Sequence, residues 1–199
     1  MKKGTSLERN KTLFNHWAKN YDAPWFQFWM RRFQLPALGE LILTPDTKIL
    51  DCSCGTGEFL RKLQGKAQVY GLDISEEMLK IARRKLPAET KLQKADVHNL
   101  PFEDNFFDDV ISTEAFHHYY DQRKALQEMV RVAKKGGKVI VVDLNFFLKP
   151  IHWLFERFEP GCVKVNDKQE MKGLFQQAEL RAIRQKRNFG FAVMNVGEK

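Results

Sequence analysis

Cysteine is scarce. The 199 residues hold three, Cys52, Cys54 and Cys162, an odd number with no paired spacing, which excludes a disulfide framework. The lone Cys-x-Cys pair cannot complete a zinc site, and no metal is expected. Long apolar runs are missing as well. No stretch approaches the ~20 residues needed to span a bilayer, and no charged segment leads into an apolar one at the amino end. A cytoplasmic location is the expectation. Runs of Lys or Arg, internal repeats and low-complexity tracts are also lacking, so neither a solenoid nor an RNA-binding appendage is legible.

What is present suffices for one globular domain. Apolar residues make up 43% and aromatics 12%, ample for a buried core, and sixteen of the aromatics are Phe. Lys and Arg (33) exceed Asp and Glu (25), giving a net charge of +8. A basic surface suits anionic partners, although charge also serves plain solubility.

From Ser6 to about Leu43 the chain reads as helical and aromatic-rich, with Pro24 and Pro36 dividing it into pieces. From Lys48 the grammar changes to short apolar runs alternating with amphipathic stretches. The runs 48–52, 68–72, 91–94, 109–112 and 138–142 read as strands; 57–64, 76–85 and 122–132 read as helices. Ser75 is a suitable N-cap, with Glu76 and Glu77 complementing the positive helix end. Lys134-Lys135 reads as a basic helix end and Gly136-Gly137 as the turn after it. Such alternation implies βαβ units and a mainly parallel sheet. After Asp143 comes an aromatic-rich insertion, 144–162, with Phe146, Phe147, Trp153, Phe155 and Phe158. Asp167-x-x-Glu170 then resembles a capping box opening a helix, and the tail reads as an antiparallel hairpin turning at 188–190.

The densest chemical signal is Ile49-Leu50-Asp51-Cys52-Ser53-Cys54-Gly55-Thr56-Gly57, a strand entering a small-residue loop and then a helix. Glycines there admit close backbone approach of a ligand, and the helix aims its free N–H groups at it; a tight strand–helix turn alone also needs glycine. Asp73 ends the next strand about 20 residues on, where a carboxylate can accept ribose hydroxyls or simply cap the Ser75 helix. Asp96-Val97 closes the third strand, where an acceptor can meet an adenine amino group between the apolar walls of Ile74 and Val97. Three consecutive strand ends thus suit one nucleoside. Leu60 stands where a dinucleotide fingerprint needs its third glycine, and no Lys-Ser/Thr pair follows the loop, which excludes a P-loop. Leu60 and Glu58 are poor neighbours for a pyrophosphate and acceptable beside a cationic sulfonium nucleoside.

The segments ILDCSCGTGEFL, YGLDISEEML, ADVHNLPFEDNFFDDVIS and LQEMVRVAKKGGKVIVVDL resemble, in order and spacing over about 48–144, the class I S-adenosylmethionine (SAM) dependent methyltransferases. Within that family the likeness is to the small-molecule group that includes ubiquinone and menaquinone biosynthesis enzymes. The resemblance implies an α/β, Rossmann-like three-layer sandwich with a mainly parallel seven-stranded sheet and an antiparallel C-terminal hairpin. It implies one domain over 1–199: an N-terminal helical lid (1–45), a SAM-binding core (46–144), the aromatic insertion (145–165), and a final helix and hairpin (166–199). By the same resemblance Asp51, Ser53, Cys54, Gly55, Thr56 and Gly57 form the SAM loop. Asp73 takes the ribose, Ile74 and Met78 flank adenine, Asp96 and Val97 meet its amino edge, and Thr113 lies beneath the methionine portion. Tyr21, in a Tyr-Asp pair, reaches the methionine carboxylate. Ser53 replaces the usual first glycine, and with negative φ there an altered loop geometry and weaker SAM affinity are expected.

Methyl transfer requires alignment and dryness more than a nucleophile or metal. An acceptor that must lose a proton needs a base, and His117 and His118, directly after the fourth strand, are the candidates, with capping or packing as their alternative role. The aromatic segments 25–33 and 146–158 are expected either to roof an apolar, lipid-like acceptor or to pack as ordinary helices. Arg31-Arg32 beside them suits an anionic membrane surface. An RNA-directed methyltransferase is the first rival class, but the fourth strand ends Ser112-Thr113-Glu114-Ala115-Phe116 and lacks the Asn/Asp-Pro-Pro-aromatic motif of enzymes that methylate base amines. A non-catalytic SAM-binding scaffold is the second. The acceptor atom and the oligomeric state are written in no motif.

Overall fold

The computed structural model describes residues 3–146, 148–188 and 190–199. Phe147 and Phe189, and with Phe189 the tip of the expected hairpin turn, lie outside the described residues, as does the side chain of Phe26.

Seven strands form one sheet in the order β3-β2-β1-β4-β5-β7-β6. They are β1 (Lys48–Cys52), β2 (Gln68–Asp73), β3 (Lys91–Lys94), β4 (Phe107–Thr113), β5 (Ala133–Leu144), β6 (Arg181–Asn188) and β7 (Ala192–Glu198). The first five are parallel; β7 pairs antiparallel with both β5 and β6. The helices are α1 (Lys3–Trp17), α2 (Pro24–Leu38), α3 (Glu58–Arg61), α4 (Glu76–Lys85), α5 (Gln122–Val132), α6 (Lys149–Phe158) and α7 (Lys168–Gln177). No helix among the described residues is long and apolar enough to cross a membrane.

Strand periodicity builds three layers. Leu50, Val110, Val139 and Val141 face one core with Leu126 and Met129 of α5 and Phe175 of α7. Their neighbours Ile49, Ile111, Ile140 and Val142 face the other, against Leu79 and Ala82 of α4 and Met30, Phe33 and Ala37 of α2. Side chains alternate across a pleat, so each consecutive apolar pair seals both faces at once. Ile111 is fully buried, and its truncation to Ala is expected to cost about 2–5 kcal/mol. The parallel core with its antiparallel end and the helical N-terminal segment are as the sequence implies. Ser75 caps α4 by accepting from the Met78 N–H at 3.2 Å, and Asp167 and Glu170 close a reciprocal capping box on α7.

Three local expectations are corrected. The helix expected over 57–64 is a single turn, because the chain beyond it tightens into i→i+3 bonds (Lys62 N–H to Phe59, Leu63 N–H to Leu60) before Gly65. Lys134 and Lys135 do not end a helix: α5 stops at Val132, and the chain is extended from Ala133, which pairs with Phe107 across a bulge. Pro36 does not divide the N-terminal segment. It lies in the last turn of α2, whose opening residue is Pro24, where a missing N–H costs nothing.

Candidate active site

The chain moves outward from β1 to β3 and then returns to β4 on the other side of β1, so the carboxyl ends of β1 and β4 flank a topological switch point. Ligands of open α/β sheets bind in the crevice that such a reversal leaves. Three connected cavities lie at this edge.

The first runs along the ends of β1, β2 and β3. Its walls include Ile74, Met78 and Val97, with Asp73 and Asp96 on its floor and Leu7, Asn10 and Phe14 of α1 above. Asp73 is buried; its Oδ2 accepts the Gly55 N–H and its Oδ1 the Ser75 N–H, both at 2.8 Å. Burial nevertheless pushes its carboxyl up to about 6. Asp73 thus ties the loop after β1 to the N-cap residue of α4, the cap itself being Ser75, and each oxygen keeps a further lone pair. Asp96 accepts from the His98 backbone N–H (3.0 Å) and from the Tyr120 hydroxyl (2.9 Å), and the His98 and Tyr120 rings stack at 3.6 Å. Burial pushes Asp96 up, but the His98 ring nitrogen, 2.5 Å from its Oδ1, together with these two donors holds it below the ordinary carboxylate range.

The loop after β1 is fixed from behind. The Ser53 and Cys54 N–H groups both donate to the Leu72 carbonyl, at 2.7 and 2.8 Å. Ser53 has φ +79°, so the expected negative φ is overturned: serine adopts the left-handed backbone that glycine takes freely. Its Oγ lies 3.0 Å from the buried Tyr119 hydroxyl, which also meets Ser112 Oγ (2.9 Å) and donates to the Cys52 carbonyl (3.0 Å). With its one proton on that carbonyl, the phenol oxygen accepts from both serines. Gly57 (φ +81°) faces away from the cavities, where an added Cβ would stand 2.7 Å from Leu86 Cδ1; its role is to let α4 approach. Cys54 is buried against Gly71, and burial pushes its thiol well up.

The second cavity is small and polar. Asp51, Thr56, Thr113, Tyr21, Gln27 and Gln34 line it. Thr56 donates to Asp22 at 2.8 Å. Two buried acceptors there have no partner, Asp51 Oδ1 and Gln27 Oε1. The amide orientation of Gln27 is fixed, because its Nε2 meets only acceptors, the Tyr21 carbonyl (3.0 Å) and the Asp22 carboxylate (3.5 Å). Burial, then the nearby Asp73, push Asp51 up to about 8. Burial and surrounding carboxylates push the Tyr21 phenol far up, so it stays a donor.

The third cavity, about 590 Å³, is aromatic: Trp17, Trp25, Trp29, Phe33 and Phe155 surround Glu114, His117 and His118. His117 Nδ1 lies 2.6 Å from Asp143 Oδ1 at the end of β5, and both side chains are buried. Burial, then His117, hold His118 well below the ordinary imidazole value, so it is neutral, with Nδ1 lacking a partner. Burial pushes Glu114 well up, and its φ of +55° turns the chain into the helical turn at 116–118.

Tyr21, Ser53, Gly55 and Thr113 are shared between cavities, and Asp51, Cys54, Thr56, Asp73, Ile74, Met78, Asp96, Val97, His117 and His118 each line at least one; Gly57 lines none. Sequence reasoning missed Gln27, which carried no local signal. It also passed over Asp143, although a carboxylate ending a parallel strand is the same signal that singled out Asp73. Among the described residues no Lys or Arg lines any of the three cavities, while six carboxyl side chains do: Asp51, Glu58, Asp73, Asp96, Glu114 and Glu159.

A family model described as a methyltransferase domain matches residues 50–141. A demethylmenaquinone methyltransferase of Staphylococcus epidermidis is 33% identical over 77% of this chain and 76% of its own length. One from Thermotoga maritima is 34% identical over 71% of this chain, a match spanning 64% of that relative's length. In structure, the chain is similar to a protein solved in complex with the Haloferax volcanii Trm112 methyltransferase activator (TM-score 0.83, 22% identity, 96% of each chain). It is also similar to the DhpI–SAH complex (TM-score 0.79, 18% identity, 99% of this chain and 98% of the other). With its matching domain, its relatives and its sheet order in agreement, the chain belongs to the class I SAM-dependent methyltransferases.

Proposed function

We propose that this enzyme methylates an apolar, ring-bearing acceptor, of the quinol type its relatives' names suggest, seated in the aromatic cavity beside the SAM cleft. The observation that carries the reading is electrostatic. Ionised Asp73 and Asp96, with the unpartnered acceptors Asp51 Oδ1 and Gln27 Oε1, line the cleft with no Lys or Arg among its described lining residues, a setting that favours a sulfonium and an ammonium and repels a pyrophosphate.

SAM fits these residues. Asp73 holds the ribose hydroxyls, Ile74, Met78 and Val97 enclose the adenine, and Asp96 meets its amino edge. Asp51 Oδ1 and Gln27 Oε1 receive the α-ammonium, which satisfies two buried acceptors otherwise left without partners. Tyr21 donates to the carboxylate. Ser53, Cys54, Gly55 and Thr56 shape the loop, with Gly57 supporting it from beneath, and Thr113 lies under the methionine chain. When bound, SAM supplies an electrophilic methyl group that leaves sulfur by in-line displacement.

The rest is the chain's own work. The rings of α1, α2 and α6 act as a lid that excludes water and aligns the acceptor. His117 donates Nδ1–H to Asp143, which leaves Nε2 as the basic nitrogen, and Nε2 takes the proton that the acceptor gives up as its new bond to methyl forms. Titration calorimetry with SAM and its demethylated product, followed by a labelled-methyl screen across quinols, phenols, amines and phospholipids, tests the proposal. Micromolar SAM binding with transfer to a ring-bearing lipid is expected; SAM binding with transfer only to RNA or to polar amines overturns it.

A further inference from the structure

The α6 helix is turned inside out for a helix of a globular core. Its one buried side chain is His152, which bonds the Phe146 carbonyl at 2.9 Å. Leu148, just ahead of it, and Ile151, Leu154 and Phe158 within it recur every three or four residues, the spacing of a single helical face, and all are exposed. Trp153 beside them is 66% exposed and Phe158 is 71% exposed.

The α2 helix has the same character at its amino half. Met30, Phe33 and Ala37 pack on the sheet, while Trp25, Phe28 and Trp29 stand at i, i+3 and i+4 on the exposed side. The two helices border one opening, since Trp25 and Trp29 from α2 and Phe155 from α6 line the aromatic cavity. The exposed rings therefore flank the entrance through which an acceptor must pass. An apolar surface of this extent marks an interaction site rather than ordinary surface composition.

The outward charges on the two helices are basic, and the acids beside them are the more buried partners: Glu58, 4.0 Å from Arg31, is 13% exposed at its side chain, and Asp167, 3.2 Å from Lys149, is 25% exposed. The α2 helix carries Arg31 and Arg32 and no acidic residue. The α6 helix carries Lys149, 82% exposed at its side chain, and Arg157, against one acid, Glu156, which is turned inward to accept the Val165 N–H at 2.8 Å. A second copy on this face would bring like charges together. An anionic bilayer answers both features: Trp and Phe enter the headgroup boundary, and Arg and Lys reach lipid phosphates while their stems stay apolar.

We propose that α2 and α6 form a docking face that lies on an anionic phospholipid surface and sets the mouth of the aromatic cavity against the lipid. This rests on the reading that the cavity takes an apolar acceptor, but docking is measurable without any acceptor. Sedimentation with phosphatidylcholine–phosphatidylglycerol vesicles, compared with phosphatidylcholine alone, reads it directly, and SAM calorimetry on the same preparation reports separately on the methyltransferase site. Binding is expected to the anionic vesicles, weakening with salt. Leu154→Glu and Trp153→Glu, at exposed positions outside the cavity, should each reduce it about tenfold or more with SAM affinity and Tm unchanged. Ile42→Glu, at an equally exposed apolar residue ahead of the amino end of β1, should leave it unaltered. Binding indifferent to anionic lipid or to both α6 substitutions overturns the proposal, as does a solution dimer that Leu154→Glu splits.

Discussion

Asp143 and His117 meet at 2.6 Å between Oδ1 and Nδ1, one at the end of β5 and the other in the turn after β4, both buried beneath the aromatic cavity. A carboxylate fixed on one imidazole nitrogen selects the tautomer whose other nitrogen is basic. Asp143 is thus a positioning residue for His117.

Asp143→Asn, which can donate where the aspartate only accepts, is expected to lower kcat roughly a hundredfold. SAM affinity should not change. His117→Ala should lose a similar factor and regain part of it with added imidazole. A packing role would lower Tm and leave kcat alone, so steady-state kinetics beside calorimetry separates the two.

Asp51 makes SAM binding pH-dependent. Burial and Asp73 push its carboxyl up to about 8, so at neutral pH the free protein carries that proton. An ammonium placed beside it favours the ionised form, and binding must expel the proton. Affinity should therefore rise with pH through neutrality and flatten above about 8. Calorimetry in buffers of different ionisation heat should show proton release near neutrality. Asp51→Asn should abolish both effects, and Gln27→Leu should weaken binding about tenfold, from loss of a hydrogen bond to a charged group.

The same shift sets a stability trend. In the unfolded chain Asp51 ionises near its ordinary 3.8, whereas the folded protein keeps the proton until about 8. Between those values the folded state binds more protons, so this residue's contribution to stability falls as pH rises. Asp51→Asn should match the parent near pH 4, as both sites are then neutral, and exceed it in Tm near pH 8. Paired melting curves at the two pH values decide it.

Ser53 offers a test of backbone strain. At φ +79° a Cβ costs about 1–2 kcal/mol that glycine avoids. Ser53→Ala keeps the strain and loses the Tyr119 contact, and Ser53→Gly loses the contact but relieves the strain. The glycine variant should exceed the alanine variant by about 1 kcal/mol in denaturant unfolding.

How much was legible follows from which interactions are local. The strands announced themselves because Ile49-Leu50, Val110-Ile111 and Val139–Val142 each feed two cores, and the Ser75 and Asp167 caps need only a few neighbouring residues. Asp73 was found because it ends a strand at a known spacing from the loop. Gln27 and the Tyr119 hydroxyl were not found, since each acts on residues far along the chain: Gln27 beside Asp51, Tyr119 on Cys52, Ser53 and Ser112. Ser53 misled for the same reason. Its positive φ is held by two N–H groups on the Leu72 carbonyl and by Tyr119, none of which a motif encodes. The bulge at Phe107 likewise drew Lys134 and Lys135 out of a helix that their sequence would continue.

The role of the aromatic roof can be separated from that of the fold. Deleting α2 would strip Met30, Phe33 and Ala37 from the sheet, so loss of activity in a truncation would say little. Trp29 and Phe155 line the cavity from opposite helices and belong to neither core. Trp29→Ala and Phe155→Ala should therefore cost little in Tm. If an apolar acceptor lies against these rings, each truncation removes contact worth about 1.5–3 kcal/mol, which raises the acceptor KM by roughly tenfold or more. SAM affinity should stay within about twofold, because the aromatic wall is separate from the adenosyl cleft. A rise in the SAM dissociation constant with an unchanged acceptor KM would move these rings from the acceptor's pocket to the donor's.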